Sequence, residues 1–270
     1  MRQYPQQKIA SNASHRIKKG SKAMRYTKKT IDKYTAYMHS LIEYYSNMPR
    51  EQFLALCKVC ISDGNDKIGR VLNVSLPAII ACHNCKSCDG CDGCANYCYD
   101  IKDCYRHGYK DSDCFHARAV NYVFATKYRA EFFKAINNAM DRRTKDFYFR
   151  YQVAGDILDY DYFCQMVDSA IRHPHFIVWT YTKCYGYVNR YIRENGALPD
   201  NFKVMFSKWD GMPLQNPYGL PIFACKLAAG NKDTTESEFS KMYKCAGNCD
   251  VCKAARRGCI AGEDTYADEH

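Results

Sequence analysis

Residues 175–207 read HFIVWTYTKCYGYVNRYIRENGALPDNFKVMFS, and this stretch decides the fold class. Its first eight residues are mostly β-branched or aromatic, the composition of a strand. From Tyr185 the apolar residues change to helical spacing, and Asn195-Gly196 supplies a left-handed stop. FKVMFS (202–207) reads as a second strand. A strand, a helix and a second strand in this order form the crossover that joins parallel neighbours.

The same grammar extends in both directions. Upstream, DFYFRYQVAG (146–155) predicts a strand, and Asp159 or Asp161 caps a helix carrying Phe163, Val167 and Ile171. RVLNVSLPAII (70–80) predicts a first core strand that stops near Pro77, after a turn cluster, SDGNDKIG (62–69). Downstream, PIFACK (221–226) is a further strand. Ala117, Val120, Phe124, Tyr128, Phe132, Ile136 and Met140 predict one long amphipathic helix. Ile31, Tyr34, Met38, Leu41, Ile42 and Tyr45 predict another, from Tyr26 to Met48 and closed by Pro49. The expected fold is α/β, a partial or complete parallel (β/α) barrel-like core. It would carry a Cys-rich loop (82–104), a Cys-rich C-terminal tail (245–270) and a helical, basic N-terminal arm. Residues 1–50 would be the partly disordered arm and residues 51–270 the α/β metal-binding domain.

The chain of 270 residues has a net charge of +10. Residues 1–50 hold 11 Lys/Arg against 2 acids, so +9 of that charge belongs to the arm. With Tyr4, Tyr26, Tyr34 and Tyr37 interleaved, the arm is a candidate contact for nucleic acid through phosphates and stacked bases. No run of 18 apolar residues exists, so no membrane span is expected. The opening residues, MRQYPQQKIASNASHRIKKG, lack the apolar core of a secretory leader. The expected location is therefore cytoplasmic.

In that compartment, seventeen cysteines point to metal rather than disulfides. Seven of them fall in CHNCKSCDGCDGCANYCYDIKDC (82–104). Cys88, Cys91, Cys94 and Cys98 have the spacing of a bacterial ferredoxin run, with Tyr99 in the place of proline. Cys104 follows as a replacement ligand. A second group is Cys245, Cys249, Cys252 and Cys259, in KCAGNCDVCKAARRGC (244–259). Four thiolates so spaced suit zinc or an iron–sulfur cluster, and spacing does not choose between them. Cys57-x2-Cys60 is a weaker pair, and Cys164, Cys184 and Cys225 read as core fillers.

In parallel α/β folds reactive groups lie beyond the carboxyl ends of strands. Those positions are Ser75, then Gly155 and Asp156 of the AGD turn, then Thr182 and Lys183, then Ser207. They are the candidate cofactor-binding residues.

A cysteine loop directly after the first strand resembles the layout of radical S-adenosylmethionine enzymes. In that family the pattern is Cys-x3-Cys-x2-Cys with an aromatic before the last cysteine. Cys91 and Cys98 keep the outer spacing and Tyr97 the aromatic, while the middle thiol, Cys94, falls one position early. The resemblance implies an iron–sulfur cluster with one open iron, S-adenosylmethionine as ligand, and a deoxyadenosyl radical. The chain also resembles the gene-product-88 domain proteins of phages and mobile elements. GNDKIGRVLNVSLP, CANYCYD, FRYQVAGDILDYDYF, VWTYTKCYGYVNRY, MFSKWDGMP and CAGNCDVCKAARRGC with the closing TYADEH carry that resemblance over about residues 62–270. It implies one continuous domain, a bacterial host cytosol as the location, and no particular reaction.

Two other readings compete. One is a zinc-stabilised nucleic-acid-binding module without catalysis. The other is a replication-initiator nuclease, since His173-Pro174-His175 resembles a histidine–hydrophobic–histidine metal site and Tyr187-x3-Tyr191 a paired-tyrosine helix. Against the nuclease, IRHP reads better as a helix end followed by a turn. It also leaves the clustered cysteines without a role.

Overall fold

Strict alternation along the strands sorts their side chains onto two faces, and each face has its own cover. In the computed structural model, which describes residues 25–83, 93–106, 113–228 and 230–269, an eight-stranded sheet forms the centre. Its strands are β1 (Ser62–Asn65), β2 (Gly69–Asn73), β3 (Tyr148–Arg150), β4 (Ile177–Thr182), β5 (Phe202–Lys208), β6 (Ile222–Lys226), β7 (Tyr243–Lys244) and β8 (Thr265–Asp268). The spatial order is β1-β2-β3-β4-β5-β6-β8-β7. Only the β1–β2 hairpin is antiparallel; every other pairing is parallel.

Both expected crossovers are present. Helix α6 (Tyr160–Arg172) joins β3 to β4, and α7 (Tyr185–Asn195) joins β4 to β5. Asp159 caps α6 by accepting from the Tyr162 amide at 2.8 Å. Helix α7 ends at Gly196, whose φ of +88° is open to glycine at little cost. Strands β4 and β5 then pair in full register from Val178–Phe202 to Thr182–Phe206.

Leu72, Phe149, Tyr151, Val178, Val204 and Phe206 face the helical layer, where α6, α7 and α5 (Arg129–Asp141) bury their apolar stripes. The alternate residues, Val71, Tyr148, Trp179, Tyr181, Met205 and Phe223, face a second layer built from the C-terminal tail. That layer consists of α9 (Cys249–Ala255) and a 3-10 turn, Gly258–Ala261. The Cys249 amide donates to the Lys67 carbonyl at 2.9 Å, so the tail reaches the β1–β2 hairpin at the far edge of the sheet.

Several expectations needed correction. The long helix predicted over 117–140 is two helices, α4 (Asp113–Lys127) and α5. Tyr128 breaks it at φ −133°, ψ 50°, while its ring stacks on Phe53 at 5.3 Å between centroids. The apolar stripe continues across the break, which is why the sequence reads as one helix. The first half of SDGNDKIG is strand β1 rather than turn. Gly64 allows it: at φ +113° a Cβ there would lie 1.8 Å from the Gly69 carbonyl oxygen.

The N-terminal helix α1 (Lys28–Ser46) is packed into the body. Ile31, Tyr34 and Met38 are buried against α4 and α3 (Tyr99–Arg106). Tyr26 and Tyr34 are buried too, so neither ring is presented for base stacking. Tyr4 and the rest of residues 1–24 lie outside the described residues. Among the described residues no helix is long and apolar enough to cross a membrane.

Candidate metal and ligand site

The carboxyl ends of β2 to β5 meet at one rim. At β2, the Ser75 carbonyl accepts from the Asn121 side chain at 3.1 Å, and the Leu76 amide donates to Ala154. The chain leaving β3 reverses at Gly155, where φ is +85° and a Cβ would stand 2.7 Å from the Leu76 Cβ. That reversal drives Asp156 under the end of β4. Its carboxylate accepts from the Thr182 hydroxyl (2.6 Å), the Lys183 amide (3.0 Å) and its own neighbour's amide at Ile157 (2.7 Å). Burial pushes the Asp156 carboxyl up, and these donors act in the opposite direction. The Lys183 Nζ then donates to the Ser207 hydroxyl at 3.0 Å, and Tyr185 donates to the Ser207 carbonyl at 2.5 Å.

Five of the six predicted binding residues thus form one chain: Gly155, Asp156, Thr182, Lys183 and Ser207. Ser75 stands at the next strand end. The geometry assigns Asp156 an inward role. Two of its three bonds brace the β4 turn and the third closes on its own neighbour Ile157, while the Lys183 ammonium reaches Ser207 at the rim.

The cysteine loop lies against this rim. Cys82 shares its surroundings with Asp156, Cys98 and Cys94, and burial with those neighbours pushes its thiol up. Burial and Asp100 push the Cys98 thiol up to about 12. A 3-10 turn, Cys94–Tyr97, carries the loop across, and the Tyr97 ring rests on Trp209 at 5.5 Å. Cys104 is buried among α1, α3 and α4, with Asp100, Arg118 and Cys114 as its neighbours, in a cluster against which Cys98 also packs. Cys88 and Cys91 lie outside the described residues.

The second cysteine group gathers on the tail face. Cys249 has Cys245 and Cys252 as electrostatic neighbours, and Cys259 has Cys245. The Tyr181 hydroxyl donates to the Cys259 sulfur at 2.8 Å. Gly258 shapes this turn: at φ +71° a Cβ would stand 2.9 Å from the Tyr243 ring. Beside the group, the Arg150 guanidinium lies over the Tyr181 ring at 4.6 Å. Burial opposes its charge, but Tyr181, Tyr99, Cys249 and Cys259 hold its pKa above the ordinary value.

All fourteen described cysteines are free thiols. Among the described residues, no three or more His, Cys, Asp or Glu side chains stand assembled as a metal-holding set. An open groove of about 620 Å³ between residues 54–63 and α5 is lined by Leu54, Val59, Asp63, Phe124, Arg142 and Arg143, and by none of the rim residues.

His173 follows α6 as its C-cap, as the helix-end reading expected. Its Nδ1 meets the Ser169 carbonyl at 2.8 Å and its Nε2 meets Asp141 at 3.0 Å. Tyr187 and Tyr191 pack along the core edge, Tyr191 against Phe163 at 5.7 Å. These are packing contacts.

Sequence reading missed Arg150 and Tyr181. The signal was the strand period: Arg150 shares a face with Tyr148, and Tyr181 with Trp179 and Ile177.

Comparison with known proteins gives one match. A family model described as "Gene product 88" matches residues 25–220, from the start of α1 past the rim to the end of the loop after β5. No curated protein and no solved structure matches the chain.

Proposed function

We propose, from the premise that this chain belongs to the Gene product 88 family, that it is an iron–sulfur enzyme of the radical S-adenosylmethionine type. In this reading the cluster sits in the cysteine loop, and the ligand binds at the strand-end rim below it. The observation that carries the reading is that Cys82 has Asp156, Cys98 and Cys94 as electrostatic neighbours at one end of a largely parallel sheet.

The donor set fits such a group. Thiolates are the usual protein ligands of iron–sulfur clusters. Thiols crowded beside a buried carboxylate are pushed up by their neighbours, and a bound cation would favour their thiolate forms instead. Cys94 and Cys98 would hold the cluster with Cys91, and with Cys88 or Cys82 as further donors. Such a cluster, when bound, supplies an electron to a sulfonium ligand. Lys183 and Ser207 offer an ammonium and a hydroxyl suited to a ligand carboxylate. Asp156 keeps that ammonium in place through the Lys183 amide and Thr182.

Anaerobic purification, metal analysis and reduction with S-adenosylmethionine test this directly. The expected result is a brown protein, because thiolate-bound iron–sulfur clusters absorb broadly in the visible and zinc does not. The loop's share of the colour vanishes in Cys94→Ala/Cys98→Ala, and reduction releases 5′-deoxyadenosine. A colourless protein holding only zinc would instead mean a metal-stabilised module. A brown protein that never cleaves the ligand would remove the enzymatic reading.

A further inference from the structure

The open groove between residues 54–63 and α5 combines apolar walls with two uncommitted cations. Leu72 and Phe124, both buried, reach it from the core, and Ala135 and Ala139, one turn apart on α5, leave it room. Its volume of about 620 Å³ is that of a ligand-sized cleft. Of its charged residues, Glu131 is taken by Arg50 at 2.9 Å and Asp63 by Arg143 at 3.1 Å. Lys58 and Arg142 are exposed and pair with no carboxylate among the described residues. Leu56, between Leu54 and Lys58 in sequence, is 68% exposed, the most of any large apolar side chain among the described residues.

The wall opposite α5 is a strand edge without a strand. Val59, Ile61 and Asp63 all line the groove, and that period of two marks extended chain. Cys60, between them, is held on one side by a side chain. Its amide donates to Asn121 Oδ1 at 2.8 Å, and Asn121 Nδ2 donates to its carbonyl at 2.9 Å. Asn121 thus takes the place of a neighbouring strand. In extended chain the main-chain groups of the flanking residues point the other way. Those of Val59 and Ile61 have no hydrogen-bond partner among the described residues. Asn121 is buried and also donates to the Ser75 carbonyl, so this wall is fixed to the body before anything binds.

We propose that residues 58–61 and this groove dock an extended acidic segment of a partner protein. The segment adds as a strand along Val59 and Ile61, lays apolar side chains over Leu72 and Phe124, and brings carboxylates to Arg142 and Lys58. An open trough with one hydrogen-bonding wall suits a chain that runs on at both ends. Charge excludes residues 1–24 of this chain or of a second copy, which carry six Lys/Arg and no acid. The groove shares no lining residue with the rim, so the docking site does not depend on what the rim binds.

The test titrates the full chain into a dye-labelled peptide of alternating valine and glutamate, about six residues long, and follows anisotropy. A peptide with lysine in place of glutamate is the comparison. The glutamate peptide binds and the lysine peptide does not. Arg142→Ala weakens binding by about tenfold, the usual loss for one charge-assisted hydrogen bond. Lys58→Glu/Arg142→Glu reverses the preference, and both side chains are exposed, so the fold is kept. Ala139→Phe fills the groove and abolishes binding. N-methylation of alternate peptide amides, in one of its two patterns, does the same by removing the donors that face Val59 and Ile61. Failure of the glutamate peptide to bind overturns the proposal, as does binding that neither pattern of N-methylation affects. Binding that survives the double charge reversal belongs to residues 1–24 and also overturns it. A groove that takes decanoate and not the peptide is a small-molecule site, which overturns it too.

Discussion

Tyr26 and Asn96 hold each other by two hydrogen bonds. The Tyr26 amide donates to the Asn96 carbonyl, and the Asn96 side chain donates back to the Tyr26 carbonyl, both at 2.7 Å. Asn96 sits between Cys94 and Cys98, so the lead-in to α1 clamps the cysteine loop directly.

That clamp separates two truncations. Residues 1–24 carry six Lys/Arg and no acid. Deleting them is expected to weaken heparin or DNA retention and flatten its salt dependence, while the metal content stays. Deleting residues 1–50 also removes buried Ile31, Tyr34 and Met38, and is expected to destabilise the loop as well. Salt-gradient retention and metal analysis on both truncations check this. Equal metal content in the two would show that the loop does not need α1.

Below the clamp lies a buried ion pair. Asp100 is ion-paired with Arg118 at 2.5 Å, and its other oxygen accepts from the Tyr34 hydroxyl at 2.6 Å and from the Ala78 amide. Asp100→Asn leaves Arg118 buried without its counter-charge, at an expected cost of about 3–5 kcal/mol. Tyr34→Phe removes one hydrogen bond and is expected to cost about 1–2 kcal/mol. Urea unfolding curves for both variants check the order.

Asp159 gives a pH signature. Burial works to raise its carboxyl, but the Arg129 guanidinium, bonded at 2.8 and 2.6 Å, and the Tyr162 amide outweigh burial and lower it. A depressed carboxylate contributes stability above its unfolded value of 3.8 and loses it as pH falls through the lower folded value. Asp159→Asn keeps the helix cap and is expected to flatten the acid limb of stability against pH below about pH 4. Asp159→Ala also loses the cap, at about 1 kcal/mol at neutral pH. An acid limb of unchanged steepness in Asp159→Asn would count against the assignment.

Gly155→Ala probes the rim. A Cβ at φ +85° and 2.7 Å from Leu76 forces the turn to shift, at an expected cost of about 1–3 kcal/mol. The shift moves Asp156 off Thr182 and Lys183, so ligand affinity at the rim falls. Asp156→Asn, which keeps the shape of the side chain, is expected to weaken ligand binding with a smaller loss of stability. Binding measured beside thermal unfolding separates the two effects.

Much of this was legible in the sequence because it follows two periods. Strand composition found β4 and β5 to within one or two residues at their ends, and helical spacing with Gly196 found α7. The rim followed, since the residue after a strand is where a parallel sheet presents its side chains. Strands β7 and β8 gave no signal, because stretches of two and four residues are too short to show a period. Arg150 was hidden for a different reason. A charged residue inside a strand reads as solvent-facing, and the Tyr181 ring it lies over comes from the neighbouring strand, after a whole helix.

The place of β8 bears on how the molecule comes into being. Strands β6 and β7 do not touch each other; β8, translated after both, enters between them and pairs with each. A ribosome-bound chain that ends short of residue 265 therefore carries β6 with one edge open and β7 without its neighbour. The sheet takes its full order only once synthesis has passed this point.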